Sequence, residues 1–430
     1  MARIEFIEFS PHRSSVINNS VNWTPSRKSK INSLLPAIFW GDSRPWIEAN
    51  LWLHQRFFDY RVKPRTVESN AEALRGYANW LEETDTKWWD FPIRMADRCL
   101  VKYRGSLVAA RDSRKLASST VTQRMRTVIR FYDWLKNSKL ISTSVPMWKE
   151  GNLGIQLDSI EGFSRTINVR TTDLRIPNRT RTGIQLEDGL VPISGKDKET
   201  LLRFVSKECS QELFLMLTLG FYTGMRIGTI SDLKIDTLFN AAPDIVGTDL
   251  YWLAVGPAAE PPVATKFDVS GRIPIAKAIL DELIRYASSA RRLKREVTAS
   301  PEFKDHVFLT KYGNSYARRG SNKSGAINVE MNAMRKRLRQ SGHKEFDRFR
   351  FHQSRCTFAT QLARIAKHSS EILNAVSLVK EVLLQRDEKT AWAYMRFIEK
   401  NEIEISAGNA FSVEFMGLLT PTPESMNQDG

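Results

Sequence analysis

At 430 residues the chain is too long for one typical domain and long enough to bury two sizeable cores. With 42% hydrophobic and 26% charged residues it reads as globular rather than disordered, and a formal net charge of +16 favours a polyanionic partner. An acidic membrane surface would satisfy the charge alone, but no apolar run approaches a membrane span and the opening MARIEFIEFS carries acids where a signal peptide would be apolar, so no membrane partner is expected.

Residues 1–45 mix Ser, Asn and Pro with scattered cations, as in TPSRKSKINS, and predict a poorly structured arm or a small accessory unit. From 46 to 145 the apolar residues fall at helical spacing. Leu74, Tyr77, Trp80 and Leu81 form one face after a break at Pro64, and Val121, Met125, Val128, Tyr132 and Leu135 form another after the capping candidates Ser118 and Ser119. This predicts a small helical bundle. On its last helix Arg124, Arg126 and Arg130 fall off the apolar stripe, either as a solvated face or as cations laid against phosphates; the net charge favours the second. Between 146 and 190 there is no sustained period and there are several Gly, Pro and Asn breaks, which predicts a linker holding at most a short strand or two.

A second folded region runs from 191 to 408. A helix is expected after Ser194, and QELFLMLTLGFYTG predicts a helix buried all round, ending in a tight turn that Gly220 and Gly224 permit. MRIGTISDLKIDTL then resumes helical spacing, so that Arg226 follows directly on a rigid buried helix. LYWLAVG, PPVATKF and GRIPIAKA read as short strands with DVSG as the turn between the last two, setting Lys266 near a hairpin tip. One helix is expected over AKAILDELIRYASSARRLKRE. The loop KYGNSYARRGSNKSG, with Arg318, Arg319 and Lys323, suits a segment crossing phosphates. Residues 409–430 form a tail with apolar residues before a polar end.

Cys99, Cys209 and Cys356 are widely spaced, which argues against a disulfide framework or a zinc module. The six histidines form no metal-ligand pattern, and there is no GxxxxGK[ST] loop, so a metal-dependent nuclease is disfavoured and no route to ATP is visible. FHQSRCTFAT sets His352 and Arg355 three residues apart, on one face if helical, and Arg355 is a permanently charged fork suited to non-bridging phosphate oxygens. With Arg226 upstream and Tyr394 downstream, these groups can act on a phosphodiester.

TGMRIGTISDLKID resembles the first-arginine box of the tyrosine recombinase (phage integrase) family, HQSRCTFAT its H-x-x-R box, and TAWAY the segment that bears the nucleophile. Lys266 matches the family's hairpin lysine, ahead of the IPI strand, and TVTQRMRTVIRFYDWL is similar to the end of its core-binding domain; the likeness spans about residues 45 to 400. The resemblance implies a mainly α fold with a small β-sheet (α+β), in which a helical core-binding domain and a catalytic domain clamp duplex DNA as a C shape. It implies that Tyr394 attacks the phosphorus, that Arg226 and Arg355 bind the non-bridging oxygens, that Lys266 protonates the leaving oxygen, and that His352 assists proton transfer. It further implies no cofactor or metal, a homo-oligomer on double-stranded DNA that is tetrameric in the synapse, a tail docking on a neighbouring protomer, room for accessory proteins, and a cytoplasmic, nucleoid-associated location.

The chain departs from the family pattern in three positions. Gln385 stands where the family has His or Trp, and it can donate a hydrogen bond but not carry charge. Thr229 replaces the usual acid after the first arginine, and Cys356 the usual histidine after the second. The five principal groups remain, so activity is expected, slowed or partner-dependent, with integration or excision of a mobile element as the task. A type IB topoisomerase-like cleavage, or a DNA-binding regulator that keeps the fold without turnover, are the alternatives.

Overall fold

The computed structural model describes residues 1–8, 12–17, 20–25, 34–158, 164–179, 186–245, 249–316, 325–369 and 371–400. The expectations for Arg318, Arg319, Lys323 and the 409–430 tail lie outside these residues. The fold is α+β, mainly helical with small antiparallel sheets, in two units, Met1–Thr180 and Arg181–Gly430. Among the described residues no helix is long and apolar enough to cross a membrane.

The first unit opens with strands where an arm was expected. β1 (Arg3–Glu8) pairs antiparallel with β4 (Leu34–Phe39), with Ile4 opposite Ile38, and β2 (His12–Ile17) pairs with β3 (Ser20–Pro25). Ala2 and Ile38 are buried in the core of the helices, which is why this segment folds rather than trails. The side chain of Asn50 reinforces the join, accepting from the Ile38 amide at 2.7 Å and donating to its carbonyl at 3.0 Å, as a neighbouring strand would.

Four helices follow: α1 (Ile47–Phe58), α2 (Pro64–Glu83), α3 (Cys99–Asp112) and α4 (Ser118–Asn137). Pro64 sits in the first turn of α2, where its missing N–H costs nothing. Leu74, Tyr77 and Leu81 of α2 and Val121, Met125, Val128, Tyr132 and Leu135 of α4 are all buried, as their spacing predicts. Ser118 does not cap α4; its hydroxyl accepts instead from the Arg179 amide at 2.9 Å. The unit ends with the antiparallel pair β5 (Glu150–Asp158) and β6 (Ser164–Thr172), so the expected linker carries a hairpin of long strands.

The second unit begins with α5 (Gly195–Glu208), capped by Ser194, whose hydroxyl accepts from the Asp197 amide at 3.0 Å. The buried α6 (Gln211–Thr223) ends at Gly224, whose φ of +65° is the left-handed conformation that glycine adopts at no steric cost. Gly220 serves a different purpose from the expected turn. It lies inside α6, where a Cβ would stand 2.2 Å from Ser354 Oγ, and its bare backbone lets another helix approach. The short α7 (Ile227–Ser231) and α8 (Ile235–Phe239) lead into a three-stranded sheet ordered β7 (Ala242–Pro243), β8 (Leu250–Val255), β9 (Gly271–Ala276).

The strand expected over PPVATKF contributes a single bridge, Val263 to Gly256, and the hairpin partners are β8 and β9. The long helix expected after β9 is two, α9 (Lys277–Ala287) and α10 (Ala290–Val297), because Ser289 breaks the run and caps the second. Then come α11 (Gly325–Gln340), α12 (His352–Ser369), α13 (Ile372–Val382) and a helix over 388–400, here α14. Helix α12 packs against both α6 and α13.

Candidate active site

Arg355 lies one turn into α12, buried to 2% exposure between the C-terminal ends of two helices. Its Nη1 donates to the Gly224 carbonyl after α6 at 2.7 Å and its Nη2 to the Leu383 carbonyl after α13 at 3.0 Å. Helix ends leave such carbonyls without partners and carry partial negative charge, so both make a natural socket for a cation. The contact of Ser354 with Gly220 fixes α12 against α6 and so fixes the socket.

The side chain that organises the rest of the site is Glu187, in the short 3-10 turn Glu187–Gly189. Its Oε1 accepts from Gln385 Nε2 at 3.0 Å and from Arg355 Nη2 and Nε at 3.3 and 3.4 Å. Its Oε2 faces His352 Nε2 at 3.1 Å and Arg226 Nη2 at 3.5 Å. Four of the residues picked out in the sequence therefore converge on the two oxygens of one carboxylate. Burial pushes the Glu187 pKa up, but the His352 hydrogen bond and the charges of Arg355 and Arg226 outweigh it and hold the group well below the usual carboxylate range. Two hydrogen bonds fasten the neighbouring segment to α12: Gln353 Nε2 donates to the Val191 carbonyl at 3.0 Å, and the Ile193 amide to Thr357 Oγ1 at 3.1 Å.

Arg226 enters two residues after Gly224, as the N-cap of α7. Burial and then the charge of Arg355 pull its pKa below the ordinary guanidinium value, which means that two cations are crowded here and an anion between them relieves both. Its buried Nε has no hydrogen-bond partner among the described residues, nor has Gln385 Oε1. Gln385 follows a left-handed residue, Leu384 at φ +48°, that ends the α13 turn and directs the amide back to Glu187.

Lys266 sits on the loop between β8 and β9 rather than on a hairpin strand, in a 3-10 turn where Phe267 and Asp268 take left-handed φ values of 65° and 56°. It is exposed, its ammonium 5.3 Å from the Phe267 ring centre. It lines the same cleft, of roughly 770 Å³, as Glu187, Arg226 and Gln385. The Ala264 amide, two residues before it, donates to buried Asp232 Oδ2 at 2.7 Å, which anchors the loop.

Tyr394 lies on α14, fully buried in a small apolar cluster with Leu186, Cys356 and Ala359. Its hydroxyl donates to Cys356 Sγ at 3.9 Å, and burial drives the phenol pKa well above its ordinary range. The tyrosine is thus beside Arg355 in the fold but shielded from the cleft. Thr229 is buried in α7. Among the described residues no group of three or more His, Cys, Asp or Glu could hold a metal ion.

The basic residues of the first unit divide. Arg126 and Arg130 are exposed and line a groove with Arg170 and Arg175, in which Arg170 is paired to Glu150 at 2.8 Å. Arg124 does not share their face: half-buried, it lays its guanidinium over Gly76 of α2, where a Cβ would come within 3.1 Å of it. A spacing of two residues turns a helix by about 200°, so Arg124 and Arg126 cannot address the same surface.

Glu187 was invisible in the sequence, being one acid in an aperiodic segment read as linker. The signal that existed was indirect: two arginines and a histidine brought to one point need a counter-charge.

No family model matches the chain, and no curated protein matches it. In fold the chain is similar to integrases of the tyrosine recombinase type. The Tn1549 transposon integrase, solved in complex with a circular intermediate DNA, is 14% identical, with 81% of this chain and 94% of that one covered at a TM-score of 0.47. Lambda integrase as a dimer bound to a COC′ core site is 13% identical, covering 80% and 76% at a TM-score of 0.45. The lambda integrase tetramer bound to a Holliday junction is 11% identical, covering 84% and 92% at a TM-score of 0.42.

Proposed function

We propose that the chain is a site-specific DNA recombinase that cleaves and rejoins duplex DNA through a 3′-phosphotyrosyl intermediate. The observation that carries this reading is the convergence of Arg226, His352, Arg355 and Gln385 on the two oxygens of a single carboxylate. The same donors suit the two non-bridging oxygens of a phosphodiester, which carries the same single negative charge. Arg226 Nε, without a partner among the described residues, supports it, since a phosphate offers that donor an acceptor.

In the proposed reaction the Tyr394 oxygen bonds to phosphorus while the bond to the 5′ oxygen breaks. The phenol proton leaves through His352 or solvent, and Lys266 gives the departing oxygen its proton. Arg226, Arg355 and Gln385 hold the charge that builds on the equatorial oxygens. Attack by a free 5′ hydroxyl on the phosphotyrosine reverses each bond change, so joining needs no external energy source. Arg126 and Arg130 would hold the duplex through its backbone. Exchange between two duplexes by four protomers, in the service of a mobile element, completes the proposal.

The test searches the DNA flanking the gene for short inverted repeats and uses a duplex built on them, nicked close to the cleavage position so that the 5′ product diffuses away. A covalent protein–DNA adduct is expected with the full chain and none with Tyr394→Phe. Tight binding without an adduct would favour a regulator that keeps the fold. Adduct formation with relaxation of a single supercoiled circle, but no joining between two sites, would favour topoisomerase-like action.

A further inference from the structure

Glu187 stands where the substrate should. If the donors of the cleft grip a phosphodiester, they cannot also grip this carboxylate. Arg355 makes the conflict plain: Nη1 is committed to Gly224, Nη2 is shared between Leu383 and Glu187, and Nε is given to Glu187. Adding a phosphate beside an ionised Glu187 would seat two anions within one hydrogen-bond shell, which each disfavours in the other. One of them has to leave.

The residue before it gives the departure a second effect. Leu186 is buried in the same apolar cluster as Tyr394 and Cys356. It and Glu187 lie next to each other at the start of one 3-10 turn, closed by the Gly189 amide donating to the Leu186 carbonyl at 3.0 Å. One turn thus places Glu187 among the donors and Leu186 in the apolar cluster of Tyr394.

We infer that this turn is a latch: Glu187 is an internal substitute for the phosphate, Leu186 a cover over Tyr394, and DNA must displace both before cleavage. The inference rests on the function proposed above and concerns the regulation of that same site. A ligand shifts such an equilibrium only by its preference for one state, and here the preference is built in, because only the open state releases the donors of Arg355, His352, Arg226 and Gln385 that Glu187 now holds.

Inorganic phosphate is the first probe, titrated into the full chain. Glu187→Gln keeps the shape and removes the charge, and it should bind inorganic phosphate at least about ten-fold more tightly than the natural chain, a gain that a further Arg226→Ala removes. Leu186→Ala, which leaves every donor in place, should strengthen phosphate binding in the same direction and serves if Glu187→Gln does not fold. On the nicked duplex both single variants should form the tyrosyl adduct faster.

Unchanged phosphate affinity in both variants would overturn the latch. So would an adduct that forms more slowly in Glu187→Gln, since that would make the carboxylate a support for the donors instead. Tighter phosphate binding with no adduct from any variant would keep Glu187 as the substitute for a phosphate and sink the recombinase reading. Normal adduct formation with no gain in either variant would do the reverse.

Discussion

Burial alone would protonate a carboxylate, yet Glu187 stays ionised because His352, Arg355 and Arg226 surround it. Its folded-state pKa therefore lies below its unfolded value, near 4.3 for an ordinary glutamate. The sign follows from linkage. Stability from the charged form is fully present above the unfolded value and is lost as pH falls through it toward the folded one. Glu187→Gln should lower stability at neutral pH by roughly 1.5–3 kcal/mol, the range for a hydrogen-bonded charged group. The deficit against the natural chain should shrink between about pH 5 and pH 3. Urea midpoints of the two proteins across that range measure it, and a deficit that grows on acidification would contradict the assignment. Set beside the faster cleavage expected of the same variant, this residue stabilises the fold at the expense of turnover.

Among the elements, the contact of α6 with α12 governs the site because it sets the Arg355 socket. Gly220→Ala would drive a Cβ into Ser354 Oγ, and overpacking of this kind costs about 1–3 kcal/mol. Adding Ser354→Ala removes the nearer clash, so the double variant should recover part of the loss; thermal or urea unfolding of both reads the coupling, and strict additivity would refute it. The buried faces of α2 and α4 were legible because burial repeats with the helix period, and the H-x-x-R and first-arginine boxes because their residues lie on α12 and at the start of α7. What escaped had no period to read. β1 and β4 are short and separated by polar chain, Ser118 looked like a cap but spends its hydroxyl on Arg179, and Ser289 splits a run whose apolar spacing is continuous. Glu187 reaches its partners across 39 to 198 residues of sequence, a separation no local pattern records.

For the whole molecule, a net charge of +16 means that the proposed DNA binding should release counterions and weaken steeply with salt. Arg126 and Arg130 share one exposed groove, and if each meets a phosphate, replacing both with Ala should make the log–log salt slope shallower by about 2. Filter binding or anisotropy between 50 and 200 mM salt is suited to this, as roughly the range over which such losses are large. An unchanged slope would remove these arginines from the interface. Arg124→Ala should instead act on stability, because its guanidinium lies against α2.

The socket that fixes Arg355 has a mechanical corollary. Its acceptor at Leu383 ends α13, and residues 383–387 are not helical before α14 resumes at 388. The anchor of Arg355 and the helix of Tyr394 thus lie on opposite sides of a joint, one bolted down and the other on a lever. Tyr394 is six residues along that lever, roughly 9 Å at the helical rise, so a rotation of about 20° carries its hydroxyl some 3 Å. A swing of that size would part the hydroxyl from its thiol neighbour while the guanidinium keeps its hold on both carbonyls.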